Sequence, residues 1–281
     1  MQPRPEEREG PPLTPELHER IREFAACATA EVGERLLRDF GRVSADRKAD
    51  GTLVTAADRW ADETLGARVR RAFPGHQVLS EEGDAVFHGG EWCWVIDPLD
   101  GTTNFARGIP VWAVSLGLLH RGTPVYGHVR VPPLARLFEG TWREDADLGE
   151  MNGSSMNDRP IRTSPDEPDQ TRFFTICSRS TSVLRRPFPC KIRMLGSAAH
   201  NFLTVACGAA LGGVEATPKV WDLAGAWPIL LAAGGEWVPL ADSPFPLIEG
   251  ADYTRRSFPM VALAHADLGE RFLPLVRQAF A

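Results

Sequence analysis

The alternation of apolar and polar positions predicts a long amphipathic helix near the start of the chain. Apolar side chains recur at steps of three and four over residues 17–36, which is the spacing of one helix face. Thr14 and Pro15 supply an N-cap followed by proline at the first helical position. We expect this helix to end near Phe40 and Gly41. The polar stretch over residues 44–52 is then expected to be a mobile loop.

A second helix is predicted from Thr55. Thr55 and Asp58 have the spacing of a capping box, in which each side chain bonds to the other residue's backbone N–H. Apolar residues at helical steps follow, and Pro74 with Gly75 ends the pattern.

An apolar run at residues 92–96 predicts a short buried strand that ends by presenting two carboxylates. Asp97 precedes a proline, which keeps its backbone extended, and Asp100 precedes a glycine at a turn. Thr102 or Thr103 would then cap a helix that opens after the turn. The segment therefore predicts acidic oxygen atoms beside backbone N–H groups.

The remaining pattern divides the chain into two halves. Apolar segments at 111–119, 124–131 and 137–142 predict a meander of strands, and the polar stretch 145–170 is expected to be a loose junction. Strands and helices alternate after the junction: strands at 173–177, 213–216, 237–240 and 260–264, and helices from Ser197, from Asp222 and over 267–280. We therefore predict an α/β (α+β) fold of layered helices and sheets. Its parts are a disordered tail (1–13), a half carrying most of the acidic site (14–150) and a second half (151–281).

Composition narrows the class of protein without naming an activity. The chain has 281 residues, 43% hydrophobic and 24% charged, with a net charge of −6, and no Lys/Arg block suggests nucleic acid as a partner. Its five cysteines include no CxxC pair, which favours reduced thiols. No apolar run approaches the roughly 18 residues of a membrane-spanning helix, and residues 1–12 lack a signal-peptide core. A soluble cytoplasmic protein is expected.

Several acidic residues stand at the ends of predicted elements, and each has an ordinary interpretation by itself. Asp97 and Asp100 could make an Asx turn, Glu81 and its neighbour could be a solvated pair, and Asp58 or Asp222 could complement a helix dipole. Taken together, they have the oxygen chemistry of an Mg²⁺ cluster, because close carboxylates repel each other without cations. N–H groups at the following helix start would suit phosphate oxygens.

Competing chemistries lack their patterns. The seven histidines show no HxxxH spacing, and the chain contains no GxxxxGK[ST], GxGxxG or GxSxG motif. A cysteine phosphatase would want an arginine six residues after its cysteine, and Val183 stands there after Cys177. Phosphate chemistry assisted by a metal is the interpretation that remains.

Two long motifs resemble the signatures of the inositol monophosphatase family. Asp97-Pro-Leu-Asp-Gly-Thr-Thr-Asn-Phe105 is similar to the first, and Trp221-Asp-Leu-Ala-Gly-Ala-Trp-Pro-Ile-Leu-Leu-Ala-Ala-Gly-Gly235 is similar to the second. Three short segments keep the family's order: residues 54–58, 80–82 and 196–199. The resemblance runs from about Leu17 to the C-terminus. It implies a layered αβαβα sandwich of the inositol monophosphatase and fructose-1,6-bisphosphatase type.

The resemblance also implies a role for each matching position. Two or three Mg²⁺ ions would be held by Glu81, Asp97, the carbonyl of Leu99, Asp100 and Asp222. The catalytic set would be Asp58 and Thr102, which orient and deprotonate the attacking water, with Lys48 adding positive charge. Backbone N–H groups of Gly101, Thr102 and Thr103 would hold the phosphate. The alcohol would contact Gly196, Ser197, Ala198 and Glu215.

The expected activity is Mg²⁺-dependent hydrolysis of a small phosphorylated alcohol, with inositol 1-phosphate as the first substrate. Histidinol phosphate, fructose 1,6-bisphosphate and adenosine 3′,5′-bisphosphate are alternatives within the family, and a regulatory protein that keeps the fold is the alternative of another class. Homodimerisation and inhibition by Li⁺ are further implications. The chain departs from the usual family pattern at Gly83, Arg107, Gly225 and residues 151–158, which concerns substrate and oligomer contacts rather than the expected metal ligands.

Overall fold

The computed structural model describes residues 13–48, 53–143, 151–185 and 187–276. Its helices are α1 (Pro15–Asp39), α2 (Ala56–Ala72), α3 (Thr102–Ala106), α4 (Ala198–Ala206), α5 (Val220–Ala224), α6 (Ala226–Ala232) and α7 (Gly269–Val276). The strands up to residue 160 are β1 (Ala45–Arg47), β2 (Leu53–Thr55), β3 (Gln77–Ser80), β4 (Trp92–Asp100), β5 (Ala113–His120), β6 (Thr123–Val131), β7 (Arg136–Thr141), β8 (Gly153–Met156) and β9 (Arg159–Pro160). The later strands are β10 (Phe173–Ile176), β11 (Lys191–Arg193), β12 (Gly212–Glu215), β13 (Glu236–Pro239) and β14 (Met260–Leu263).

Two sheets form the body of the protein. The larger has the order β3-β4-β5-β6-β7-β8-β9 and the smaller has the order β11-β10-β12-β14-β13. Helices α1 and α2 cover one face of the larger sheet, where Ile21, Leu65 and Trp94 belong to one buried apolar cluster. Because successive side chains of a strand point to opposite faces, Val95 enters the other cluster, between the two sheets.

Helices α4, α5 and α6 lie between the sheets. Helices α4 and α6 pack on both of them, and α5 packs on β4 and β5 of the larger sheet. On the outer face of the smaller sheet, Phe272 of α7 lies 4.7 Å from Phe174 and 5.6 Å from Phe188 between ring centroids. The order of layers is therefore helix, sheet, helix, sheet, helix, and the predicted αβαβα sandwich is confirmed.

The pairing of β3 with β4 brings two acidic segments to one edge of the larger sheet. These strands are parallel, with Ser80 opposite Ile96, and the N–H of Glu81 donates to the Ile96 carbonyl at 3.2 Å. The register of β4 with β5 shifts between Asp97 and Asp100, so the ladder is irregular where the carboxylates emerge. The carboxyl ends of the two strands consequently lie side by side.

Several local predictions were wrong. The loop expected over residues 44–52 contains β1, which pairs antiparallel with β2, while residues 49–52 lie outside the described ranges. Gly101, with φ of +94°, caps α3 instead of Thr102 or Thr103, because both threonines are already helical. The helix expected from Asp222 begins two residues earlier, at Val220.

The expected tail, junction and closing helix also differ. Residues 1–12 lie outside the described ranges, but Leu13 is buried at 2% exposure and belongs to the core around α1. The junction expected over 145–170 includes β8 and β9, which extend the larger sheet past residue 150 to Pro160. Residues 266–268 form a 3-10 turn before α7, and residues 277–281 are outside the description. The division into halves at residue 150 stays a prediction.

None of the helices within the described ranges is both long enough and apolar enough to cross a bilayer.

Candidate metal centre

Three carboxylates from two distant segments of the chain meet at the edge of the larger sheet. One oxygen atom each of Asp97, Asp100 and Asp222 lies within 4.8 Å of the others. Asp97 and Asp100 are buried and Asp222 is partly buried. Burial, followed by repulsion from the neighbouring carboxylates, raises the pKa of Asp97 and of Asp222 well above the usual range. A divalent cation would relieve this repulsion.

The atoms of Asp97 fit such a cation. Its Oδ1 accepts the Leu99 N–H at 3.1 Å, whereas its Oδ2 is buried without a hydrogen-bond partner among the described residues. A buried carboxylate oxygen left unpaired is costly in a protein interior. Hard divalent ions prefer carboxylate oxygen ligands, so the donor set suits Mg²⁺.

Asp100 is held by the first turn of α4. The Ser197 hydroxyl donates to Oδ2 at 2.5 Å, the Ala199 N–H donates to the same oxygen at 2.9 Å, and the Ala198 N–H donates to Oδ1 at 3.0 Å. Burial raises the pKa of Asp100, and these hydrogen bonds oppose the rise. Helix α4 therefore orients this carboxylate from the second half of the chain.

Asp222 reaches the cluster because α5 lies very close to the larger sheet. Its Oδ2 accepts the Lys219 N–H at 2.6 Å at the start of the helix. Gly225, between α5 and α6, faces Ser115 of β5, the strand position opposite Asp97. A Cβ at Gly225 would lie 2.3 Å from the Ser115 Oγ, so a side chain there would push the helix away. Gly225 is one of the positions at which the chain departs from the usual family pattern, and its lack of a side chain permits the close approach of α5 to the larger sheet.

Asp58 and Thr102 form a second group next to the cluster. The Thr102 hydroxyl lies 2.9 Å from Asp58 Oδ1 and 3.2 Å from the Leu99 carbonyl. The predicted capping box is present: Thr55 donates its N–H at 2.8 Å and its hydroxyl to Asp58 Oδ2. Burial raises the pKa of Asp58 despite these bonds. One acceptor, Oδ1, is thus directed at Thr102.

Glu81 and Lys48 form a further pair, and the charge of Asp58 acts on Glu81. The Lys48 Nζ is 2.8 Å from Glu81 Oε1 and also contacts Glu82. Burial raises the pKa of Glu81 to about 7, although the Lys48 ammonium lowers it. Burial acts to lower the pKa of Lys48, and the two carboxylates raise it overall. The structure therefore places Lys48 as an ion-pair partner of two acids.

The residues expected to bind phosphate and alcohol surround this centre. Gly101 precedes α3 and lies against Gly196, since a Cβ on Gly101 would stand 3.1 Å from the Gly196 carbonyl oxygen. Ser197 and Ala198 contact Asp100 as described above. The side chain of Thr103 is exposed, and only its place in the first turn of α3 brings it near the group.

Glu215, at the end of β12, is buried and accepts a hydrogen bond from the Asn201 amide of α4. Burial raises the pKa of Glu215 to about 7, and the charge of Asp100 adds to the rise. Cys177 bonds to the same carboxylate, and burial raises the pKa of its thiol. Its charge also raises the pKa of Asp222, so the carboxylate lies close enough to the cluster to interact with two of its members.

Three contributors were missed at the level of sequence: the ion pair of Glu82, and the amides of Asn104 and Asn201. Glu82 follows the predicted ligand Glu81, and Asn104 lies within the first motif. Their positions in the motifs could therefore have marked both residues as part of the site. Asn201 carries no such signal, because its partner Glu215 is brought to it only by the fold.

Comparisons with known proteins show the family to which the chain is similar. A sequence model of the inositol monophosphatase family matches residues 17–278. An inositol-1-monophosphatase of Synechocystis is 34% identical over 242 residues, covering 81% of this chain and 82% of that protein. A histidinol-phosphatase of Mycobacterium tuberculosis is 34% identical over 231 residues, covering 76% and 86%. The Thermotoga maritima IMPase structure has a TM-score of 0.77 and 26% identity, covering 92% of this chain and 97% of that one.

The family match spans nearly all of the described fold, and both signature motifs lie inside it. A single family relationship thus explains both the signature motifs in the sequence and the αβαβα layers of the fold. The chain belongs to the inositol monophosphatase family of phosphatases.

Proposed function

We propose that this phosphatase hydrolyses a small phosphorylated alcohol in an Mg²⁺-dependent reaction, with inositol 1-phosphate as the first candidate. The observation that carries the proposal is the cluster of Asp97, Asp100 and Asp222, with the hydrogen-bonded pair of Asp58 and Thr102 beside it. The first group suits cations that bind phosphate, and the second group suits the handling of a water proton.

The metal ligands in this proposal are the three clustered carboxylates, Glu81 and the carbonyl of Leu99, holding two or three Mg²⁺ ions. Bound Mg²⁺ would lower the pKa of a water molecule and offset the negative charge of the phosphate. The unpaired Oδ2 of Asp97 and the raised pKa of Asp222 support this assignment, since both features call for a nearby positive charge.

Asp58 and Thr102 receive the role of activating water. The Thr102 hydrogen is directed at Asp58 Oδ1, which leaves the lone pairs of the Thr102 oxygen to accept a hydrogen bond from water. Asp58 then takes the proton by way of the threonine hydroxyl. Its raised pKa makes the carboxylate a better base than a solvated aspartate. Lys48 adds positive charge beside Glu81.

Phosphate and alcohol are assigned to two neighbouring sets of residues. N–H groups of Gly101, Thr102 and Thr103 at the start of α3 would bind phosphate oxygens. Gly196, Ser197 and Ala198 would contact the alcohol with Glu215, whose carboxylate is fixed by Asn201. These sets adjoin because Gly101 packs against Gly196.

More than one phosphorylated alcohol is a candidate substrate. Relatives with the same level of identity act, by their names, as an inositol-1-monophosphatase and a histidinol-phosphatase. Histidinol phosphate, fructose 1,6-bisphosphate and adenosine 3′,5′-bisphosphate therefore remain candidates, and a regulatory protein that retains the fold is the alternative of another class. A cytoplasmic homodimer sensitive to Li⁺ completes the proposal.

The test is phosphate release at several concentrations of Mg²⁺ from the four named substrates, each with and without Li⁺. One preferred substrate whose hydrolysis requires Mg²⁺ would support the proposal. Saturable Mg²⁺ binding without hydrolysis of any of the four would favour the regulatory alternative.

The variant Asp222→Asn tests the metal assignment within the same assay. It keeps the shape of the side chain and removes one carboxylate charge, so Mg²⁺ affinity should fall by at least about tenfold. Asp242→Asn is the matched control, because Asp242 is exposed in a loop after β13. Wild-type activity in Asp222→Asn would refute the ligand assignment.

A further inference from the structure

The side chain of Asn104 joins two loops beside the metal centre. Its Nδ2 donates to the Val111 carbonyl at 2.7 Å and to the Leu195 carbonyl at 2.7 Å. The residue is 8% exposed, so both hydrogens of the amide are used in a largely water-free setting. One of these carbonyls precedes β5 in the first half of the chain, and the other precedes α4 in the second half.

The loop before α4 is shaped to meet this amide. Gly196 has a φ of +80°, and a Cβ on it would lie 2.7 Å from Asn104 Nδ2. A side chain would therefore be strained in that conformation and would collide with the amide. The asparagine and the glycine fit together as one contact between α3 and the loop.

The next residues of that loop hold a proposed metal ligand. Ser197 caps α4 by accepting the His200 N–H at 3.3 Å, and its hydroxyl donates to Asp100 Oδ2 at 2.5 Å. The Ala198 N–H reaches the other oxygen of the same carboxylate. The position of the Leu195 carbonyl therefore determines where the donors to Asp100 stand.

We propose that Asn104 is a positioning residue for the metal centre, acting through the loop of residues 195–197 on the Asp100 carboxylate. Two contacts carry this inference. The buried amide of Asn104 binds the Leu195 carbonyl, and two residues later the Ser197 hydroxyl binds Asp100. The inference rests on the proposed function, because it assumes that Asp100 binds Mg²⁺. The same contact places the residues assigned to the alcohol.

The test uses Asn104→Ala and Asn104→Asp in the full-length protein. Alanine removes both hydrogen bonds, whereas aspartate keeps the size of the side chain and cannot donate to either carbonyl. Mg²⁺ affinity is measured by calorimetry without substrate, so the readout does not depend on turnover. We expect affinity to fall by about tenfold, as for other residues that orient a metal ligand.

The matched control is Asn157→Ala. Asn157 also bonds to backbone at two points, donating to the Ala135 carbonyl at 3.0 Å and accepting the Leu137 N–H at 2.7 Å, but it lies in an exposed turn between β8 and β9. This change should lower the melting temperature and leave Mg²⁺ affinity unaltered. An equal loss of Mg²⁺ affinity in both alanine variants would show a general effect of weakened packing, and would overturn the inference.

A double-mutant cycle with Ser197→Ala then separates positioning from a second, unrelated effect. If Asn104 acts through Ser197 and Asp100, the two effects should not add. The Mg²⁺ affinity of the double variant should then be about that of whichever single variant binds Mg²⁺ less tightly. Additive losses, or an Asn104→Asp protein within twofold of wild-type affinity, would contradict the inference. Wild-type affinity in Asp222→Asn would instead refute the proposed function itself.

Discussion

The Thr102 hydroxyl lies 2.9 Å from Oδ1 of Asp58, although 44 residues separate the two in sequence. Asp58 is in the first turn of α2 and Thr102 is the first residue of α3, so two helix starts converge on one hydrogen bond. The other carboxylate oxygen is occupied by Thr55, which leaves Oδ1 for this contact. Among the described residues, the Thr102 hydroxyl joins this carboxylate to the Leu99 carbonyl, 3.2 Å away, beside the clustered carboxylates.

Replacing Thr102 by alanine should therefore lower kcat strongly. Loss of a positioned proton carrier costs about 10² to 10⁴ in rate, while Mg²⁺ affinity should change little because the clustered carboxylates remain. Steady-state kinetics at saturating Mg²⁺ provide the measurement. Thr102→Ser keeps the hydroxyl and is the control. Similar kcat values for the serine and alanine proteins would contradict the proton-transfer role.

Gly225→Ala should destabilise the protein and weaken the metal centre together. The added Cβ would lie 2.3 Å from the Ser115 Oγ, and crowding a packed interior costs roughly 1–3 kcal/mol. Since α5 must move, the Asp222 carboxylate moves with it. Urea unfolding gives the stability, and calorimetry gives the Mg²⁺ affinity.

The second change Ser115→Ala supplies the control for that variant. It removes the nearest atom, after which the next contacts of the added Cβ are 3.0 Å to Val129 Cγ2 and 3.2 Å to the Leu116 carbonyl oxygen. The double variant should recover part of the lost stability. Losses that simply add would mean that the clash with Ser115 is not the cause.

Stabilisation by Mg²⁺ should depend on pH. Without metal, the carboxyls of Asp97 and Asp222 have pKa values raised above 3.8, so the folded protein binds more protons than the unfolded chain above that pH. Stability of the metal-free protein is thus lost as pH rises through the raised pKa values. Mg²⁺ replaces those protons, so the gain in melting temperature should be larger at pH 8 than at pH 5.

The measurement is thermal unfolding with EDTA or with Mg²⁺ at each pH. At a free Mg²⁺ concentration 100 times the Kd, the expected stabilisation is about 2.7 kcal/mol. Na⁺ at matched ionic strength controls for general screening. If the gain in melting temperature on adding Mg²⁺ does not depend on pH, the ion does not displace protons from the carboxyls of Asp97 and Asp222, which would contradict the assignment.

His128 should make the protein less stable in acid, an effect opposite in sign to that of the raised carboxyl pKa values. Burial lowers its pKa from 6.5 to about 3, and its ring bonds to the Thr29 hydroxyl at 2.9 Å and to the Tyr126 hydroxyl at 3.3 Å. The unfolded chain binds a proton below pH 6.5 and the folded one does not, so stability falls as pH drops from 6.5 towards 3. The slope from this residue approaches about 1.4 kcal/mol for each pH unit.

Urea unfolding between pH 6.5 and 4.5 checks this, with His128→Gln as the comparison. Glutamine retains a polar group for Thr29 and does not titrate, so the stability difference between the two proteins should change steadily with pH. Parallel curves would show that His128 is not the titrating group.

The parts of the site that were predictable depend on local chain geometry. The capping box of Thr55 and Asp58 needs only three residues of separation, and the meeting of Glu81 with Asp97 follows from two short strands ending in acids. The contact of Asn104 with Leu195 spans 91 residues and requires the packing of both halves. No spacing rule reports such a contact.

The fold shows the same division. The long helix α1 and the apolar strand β4 carry strong patterns and were confirmed, although β4 continues past the predicted residues 92–96 to Asp100. Strand β8 reads Gly-Ser-Ser-Met, which has no apolar alternation, and it is a strand because β7 offers it an open edge for pairing. Propensity and periodicity indicate which secondary structure a segment forms by itself. The conformation of an edge strand such as β8 depends instead on pairing with the neighbouring strand.

The three clustered carboxylates come from both halves of the chain: Asp97 and Asp100 leave the larger sheet, and Asp222 leaves a helix between the sheets. An ion bound among them would be a crosslink, closing a loop of more than a hundred residues without a covalent bond. Chelation would then act like reduction of a disulfide, releasing α5 from the sheet edge. Amide hydrogen exchange in α5 should accelerate on addition of EDTA, far more than exchange in the outer helix α1.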